Sequence, residues 1–192
     1  MKNTLKTLAL VAIAALTTFS FTGIDVEKKA VKISESKLVW KGYKVTGSHE
    51  GTIDIKSGTL SFDGDKLVGG EFVIDMNTIN TTDLEGEYKT KLDGHLKADD
   101  FFGVANHPTA SLVFKNVKAS GKNAYDVTAD LTIKDMTHPI EFVISIYGNK
   151  ATASVKVDRT KYDIRYGSSS FFDGLKDKAI YDEFDLVVDL QF

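Results

Sequence analysis

Between Tyr125 and Lys134 the chain alternates without a break. Tyr125, Val127, Ala129, Leu131 and Ile133 take one parity, and Asp126, Thr128, Asp130, Thr132 and Lys134 take the other. Successive side chains of a strand point to opposite faces, so the stretch predicts a strand with one dry and one wet face. The same period runs through Phe72, Ile74 and Met76, through Leu112 and Phe114, and through Ile140, Phe142, Ile144 and Ile146. It returns in Ala151, Ala153, Val155 and Val157, and in Phe184, Leu186, Val188 and Leu190. With the less regular stretches 37–46 and 51–62 this gives about eight strand candidates, separated by turn signals at Asp63-Gly64, Gly121-Lys122-Asn123 and Gly148-Asn149. Short connections between single-faced strands suit an antiparallel meander, closed into a barrel or stacked as a two-sheet sandwich. A closed barrel of about eight strands has an interior just wide enough for packed side chains or one small ligand, as in lipocalins. No repeat or linker divides the pattern, which predicts one domain over residues 31–192.

Two segments break the alternation. The connection from Ile79 to His107 is long for a hairpin and predicts a short helical segment near residues 83–104; the other runs from Arg159 to Asp182. Each carries a Phe-Phe pair, Phe101-Phe102 and Phe171-Phe172. Long connections in a small domain commonly form lids or mouths, and phenylalanines there need an apolar surface to cover them.

The first 22 residues follow a different pattern. Lys2 and Lys6 precede an apolar run from Leu8 to Leu16, and small residues follow it. The run is too short for the roughly 20 residues that span a bilayer, so the segment predicts a cleaved signal peptide and a periplasmic or secreted protein. No cysteine occurs anywhere in the 192 residues, which excludes disulfide frameworks, thiolate metal sites and cysteine nucleophiles. The net charge of −3 and the absence of a basic block argue against nucleic acid as a partner.

Catalytic arrangements are sparse. GxSxG, P-loop, GxGxxG and HExxH patterns are missing, and Ser168-Ser169-Ser170 lacks the strand-turn-helix context of a nucleophile. If residues 93–100 are helical, His95 and Asp99 share a face, and His107 could join them around a metal ion; a structural role for His95 is the alternative reading. His138 lies in Asp135-Met136-Thr137-His138-Pro139, read as a turn between two strands. Arg159 ends a strand beside Asp158 and close to Tyr162, where a guanidinium can pin a barrel end against carboxylate and aromatic groups. A ligand head group is the other candidate partner for Arg159.

The run Gly94-His95-Leu96-Lys97-Ala98-Asp99-Asp100-Phe101-Phe102, followed by His107-Pro108-Thr109-Ala110, resembles the "HLKSxDFF…yPta" segment of the YceI-like family. Asp130 to Thr137 resembles that family's "GdLTIkGvT", Asp158-Arg159-Thr160 its "DRt", and Ile180 to Leu190 its closing strand. The matches span residues 35 to 192 in the family's order. Departures are Ala98, Gly103 and Asp135, where the family often has Ser, Asp and Gly. The resemblance implies an all-β, eight-stranded antiparallel lipocalin-like barrel, usually exported, that binds a long apolar molecule such as a polyisoprenoid, isoprenoid quinone or fatty-acid derivative.

The expected protein is therefore a non-enzymatic lipid carrier or sequestering protein with neither cofactor nor metal. Its expected lining is Trp40, Phe72, Ile74, Phe114, Leu131 and Phe142 inside, with Phe101, Phe102, Tyr166, Phe171 and Phe172 near the opening. Transient membrane contact and a homodimer sharing its apolar mouth are further expectations. The alternative is an envelope stress or adhesion module with a filled barrel that acts through protein contacts.

Overall fold

The alternating segments become strands in a computed structural model that describes residues 26–192; the signal-peptide segment lies outside the described residues. In chain order the strands are β1 (Val26–Ala30), β2 (Lys37–Lys44), β3 (Gly47–Asp63), β4 (Lys66–Thr81), β5 (Thr109–Ala119), β6 (Ala124–Ile133), β7 (Met136–Tyr147), β8 (Lys150–Asp158) and β9 (Ile180–Gln191). One helix, α1 (Gly86–Lys97), lies between β4 and β5, inside the segment read as helical. All pairings are antiparallel. Neighbours from β2 to β9 pair in sequence order, across the two long connections as well, and β2 pairs with β9, with Trp40 opposite Leu186. That closes β2 to β9 into an eight-stranded barrel and removes the sandwich. The strand before residue 31, β1, adds to the edge of β3 end to end with β2.

The long β3–β4 hairpin explains why stretch 51–62 looked irregular. Ile53 and Ile55 are buried, yet further along so are Leu60 and Phe62, on the opposite parity. The register slips by one residue between Ile55 and Ser57, a bulge that turns the inward face from odd to even positions. A second slip, between Phe114 and Asn116 in β5, does the same for Phe114 and Val117. The turn expected over Asp135 to Pro139 is a tighter one at Lys134-Asp135. Lys134 and Asp135 carry the positive φ angles of the β6–β7 turn, so His138 and Pro139 lie within β7, paired with Leu131 and Asp130. Pro139 is tolerated because β7 pairs with β8 only from Val143 onward, leaving no ladder there for the missing N–H to break.

The interior is layered along the barrel axis. At one end Phe62 stacks on Phe192 with centroids 5.5 Å apart, and Leu60 and Leu67 are buried nearby. At the other end Phe102 packs edge-on against Phe184, and α1 crosses the opening. Between them, large rings lie flat on the wall where the facing residue is glycine. Trp40 lies over Gly51, Phe72 over Gly58 and Phe114 over Gly70. A methyl group added to Gly58 would sit 2.6 Å from Phe72, and one on Gly70 2.8 Å from Phe114. At Gly51 it would meet the backbone carbonyl of Asn80 as well as the indole.

These contacts rank four substitutions. Gly51→Ala collides with backbone that cannot give way and destabilises most. Gly58→Ala and Gly70→Ala must displace a ring into the barrel and cost about 1–3 kcal/mol each. Gly42→Ala, whose added methyl meets nothing within 4 Å, leaves stability unchanged. Thermal or urea unfolding of the four variants checks the order.

Candidate functional site

The centre of the barrel is not full. A cavity of about 80 Å³ runs between Leu38, Ile55, Phe72, Ile74, Leu112, Phe114, Leu131, Phe142 and Leu186, and Ser111 is the one polar residue among those that line it. Five of the six residues expected inside, Phe72, Ile74, Phe114, Leu131 and Phe142, border this space. Aliphatic positions such as Leu38, Ile55, Ile144, Val155 and Val188 border it too and are not among the expected lining. A space this apolar gives water no partners; comparable engineered cavities stay dry and take apolar ligands.

Trp40 belongs elsewhere. It lines a wider groove of about 500 Å³ between α1 and the barrel rim, together with Gly42, Lys44, His49, Leu92, His95 and Phe101. Leu38, two residues back on the same face of β2, borders the inner cavity, so Trp40 stands at the boundary between the two spaces. Leu84, just before the helix, and Tyr88, Leu92 and Leu96 within it recur at four-residue spacing, a pattern that could have revealed this wall but is broken by charged residues between.

Polar contacts hold α1 in place. The Lys89 ammonium donates to the Asp93 carboxylate at 2.7 Å, to the Thr81 carbonyl at 2.8 Å and to the Asn80 side chain. Asp93 in turn accepts from the Thr81 backbone N–H at 2.7 Å. Burial would raise the Asp93 pKa, but the hydrogen bonds from Lys89 and Thr81 outweigh it and hold the carboxyl below its ordinary range. The helix is thus fastened to the end of β4 while its apolar side faces the groove.

The two Phe-Phe pairs have different fates. Phe101 and Phe102 are both buried and meet edge to face at 5.1 Å, because the chain after α1 folds back through Phe101 N–H to Ala98 and Phe102 N–H to Leu96. Phe101 lines the groove. Phe171 and Phe172, at 45 % and 49 % exposure, point away from both spaces, and Tyr166 is likewise exposed. The Phe171 and Phe172 N–H groups both close onto the Ser168 carbonyl, a tight turn that aims the two rings outward, and the Arg165 guanidinium covers Phe171 at 4.8 Å. Tyr166 is joined to the groove indirectly, its ring 4.3 Å from His95.

Arg159 takes the structural role. It is 2 % exposed and donates to the carbonyls of Ile164, Tyr181 and Ile180 at 2.7, 3.0 and 3.1 Å, with Asp182 at 3.7 Å and the Phe101 ring beneath it. Desolvation lowers its pKa despite Asp182 and Asp158. The guanidinium ties the 159–182 connection to the start of β9. The three residues weighed for a metal are not brought together. His107 Nδ1 lies 2.9 Å from Asp135, His95 packs against Phe101 and Tyr166, and no cluster of three ligating side chains occurs among the described residues.

The sequence matches the model of the YceI-like domain over residues 24–192. The chain belongs to the YceI-like family. A "UPF0312 protein" of Azotobacter vinelandii is 29 % identical over 98 residues, which cover 51 % of this chain and 49 % of the relative. Against several such curated relatives the chain spans about half their length. Among solved structures, Burkholderia cenocepacia BcnA aligns with a TM-score of 0.66 at 20 % identity, covering 83 % of this chain and 98 % of that one. A polyisoprenoid binding domain from Saccharophagus degradans aligns at 0.58 and 17 %, covering 84 % and 95 %. At these identities the two structures speak for the fold.

The YceI-like motifs have converged on one end of this barrel. His95, Phe101 and Phe102 of the HLK…DFF run, together with Arg159 of Asp158-Arg159-Thr160, make up the α1 end. Asp158 caps the following turn, accepting from the Thr160 backbone at 3.0 Å and hydroxyl at 2.6 Å. Tyr162 is buried in the same turn, its hydroxyl unpartnered, and its ring lies edge-on to His138 at 5.3 Å.

Burial, with repulsion from Asp158, pushes the Tyr162 hydroxyl up to about 12 from an ordinary value of 10.0. A raised folded-state pKa means the fold keeps its full stability below pH 10 and loses it as the pH climbs from 10 toward 12. The loss on the order of 1–3 kcal/mol across that window is absent in Tyr162→Phe, which is at least as stable as the unmodified protein at neutral pH because it buries no lone hydroxyl. Urea unfolding at pH 7, 10 and 11.5 checks both statements.

Proposed function

We propose that this protein is an exported, non-catalytic carrier that encloses the chain of a long apolar lipid, with the inner cavity as the tail site. The observation that carries the reading is an apolar space inside a barrel whose largest rings are laid against glycines, clear of the axis. Burying chain carbon there gains roughly 25 cal/mol per Å², less the cost of ordering the chain, so shape and length rather than hydrogen bonds select the ligand. The likeness to a polyisoprenoid binding domain supports an apolar ligand, and an isoprenoid quinone or fatty-acid derivative fits the same chemistry. Export rests on the predicted signal peptide. The cavity favours a carrier over a filled barrel that acts through protein contacts. At about 80 Å³ it receives only a short length of chain before side chains must shift, so loading widens the barrel or leaves part of the ligand in the α1 groove. The exposed Tyr166, Phe171 and Phe172, flanked by Arg165 and Lys176, suit brief contact with a membrane during exchange.

Solvent extraction of protein purified without detergent, followed by mass spectrometry, recovers a long-chain lipid in stoichiometric amount. Ala153→Phe, which fills the cavity from β8, lowers the recovery at least about tenfold. Protein that repeatedly yields no lipid and binds neither quinone nor fatty-acid probes would overturn the reading.

A further inference from the structure

Two residues that line the groove under α1 carry buried nitrogens without partners. Trp40 is 8 % exposed, and its indole Nε1 is buried without an acceptor. The His95 Nε2, from α1 on the same groove, is also buried without a hydrogen bond; its nearest carboxylate, Asp100, is 3.9 Å away. An indole N–H can only donate, and a His95 protonated at Nε2 is a second donor, so the missing partner is an oxygen acceptor. The groove also has a cation at its rim. Lys44, Lys91 and His49 line it, and no Asp or Glu stands among the described lining residues. Lys91 and His49 already pair with Glu87 at 2.7 Å and Asp83 at 2.9 Å, which leaves Lys44 as the lining cation without an ion pair among the described residues. Gly42 leaves room in the floor, for a side chain there would begin in open space.

We propose that the α1 groove is the head-group site for an anionic amphiphile. On entering, a carboxylate or phosphate oxygen displaces the groups that cover Trp40 Nε1 and His95 Nε2 and accepts from both, Lys44 balances its charge, and the tail passes Trp40 into the cavity bordered by Leu38 and Leu186. The proposal rests on the carrier reading and narrows it, since a neutral quinone meets the donors but leaves Lys44 unmatched.

Trp40 is the sole tryptophan of the chain, so its emission reports on the site directly. Delipidated full-length protein is titrated with hexadecanoate, with hexadecanol of the same chain length, and with inorganic phosphate or acetate as chainless heads. Hexadecanoate binds at least about tenfold more tightly than hexadecanol, and the chainless anions do not displace it at millimolar concentration. Trp40→Phe, read with a displaced fluorescent fatty acid, and Lys44→Gln each narrow the gap between the two chains. Gly42→Leu fills the groove and abolishes the preference while leaving Trp40 in place, so it decides the matter should Trp40→Phe fail to fold. Equal binding of hexadecanoate and hexadecanol by the unmodified protein overturns the head-group site and leaves the carrier reading standing. Binding of neither chain overturns both. Displacement by free phosphate or acetate overturns the assignment to an amphiphile.

Discussion

A closed ring of eight antiparallel strands has a nearly fixed girth, and everything inside must fit it. The backbone hydrogen bonds of β2 to β9 are spent on the ring, and without disulfides the interior side chains supply the rest of the hold. Whether such a ring is a solid body or a vessel then depends on where its bulk lies. Here the ladder places Gly51 opposite Trp40 and Gly58 opposite Phe72, so large rings spread along the wall in place of a side chain that is not there. Remove the glycines and the same aromatics must turn inward. A void at the centre is thus a property of paired positions on adjacent strands, which no single residue confers.

The two ends of the ring are built differently. One is closed by hydrophobic stacking of Phe62 on Phe192, with the Lys29 ammonium 4.9 Å from the Phe62 centroid. The other is roofed by a helix held through Lys89 and Asp93, which bond the Thr81 carbonyl and N–H, and by a loop held through Arg159, which bonds three backbone carbonyls; both are charge-assisted hydrogen-bond nodes. Stacked rings slide apart only at the cost of exposing apolar area, whereas polar nodes can exchange partners with water. The asymmetry leaves the α1 end as the one whose closure is polar.

The antiparallel order and one dry face per strand were legible in the sequence wherever pairing is regular, as in β6, whose inward positions match the alternation from Tyr125 to Ile133. Legibility failed at bulges, because one inserted residue inverts parity in β3 without changing composition. It failed at β1, where Val26-Glu27-Lys28-Lys29-Ala30 has no apolar rhythm and pairs only along the edge of β3. At the site, the expected inner residues sit where alternation put them except Trp40, one layer nearer the rim. The identical dipeptides Phe101-Phe102 and Phe171-Phe172 could not be told apart by composition. Their exposure is decided by which carbonyl their N–H groups reach, a matter of local chain path.

The pairing of β2 with β9 joins residues as distant in sequence as Trp40 and Leu186. Forming that pair closes a loop that takes in almost the whole sheet, at a large loop-closure cost. Until then the inner faces that later enclose the cavity are open to water and to any long apolar molecule nearby. A ligand present at that moment would be wrapped rather than admitted, and it would find the curled sheet already shaped to receive it.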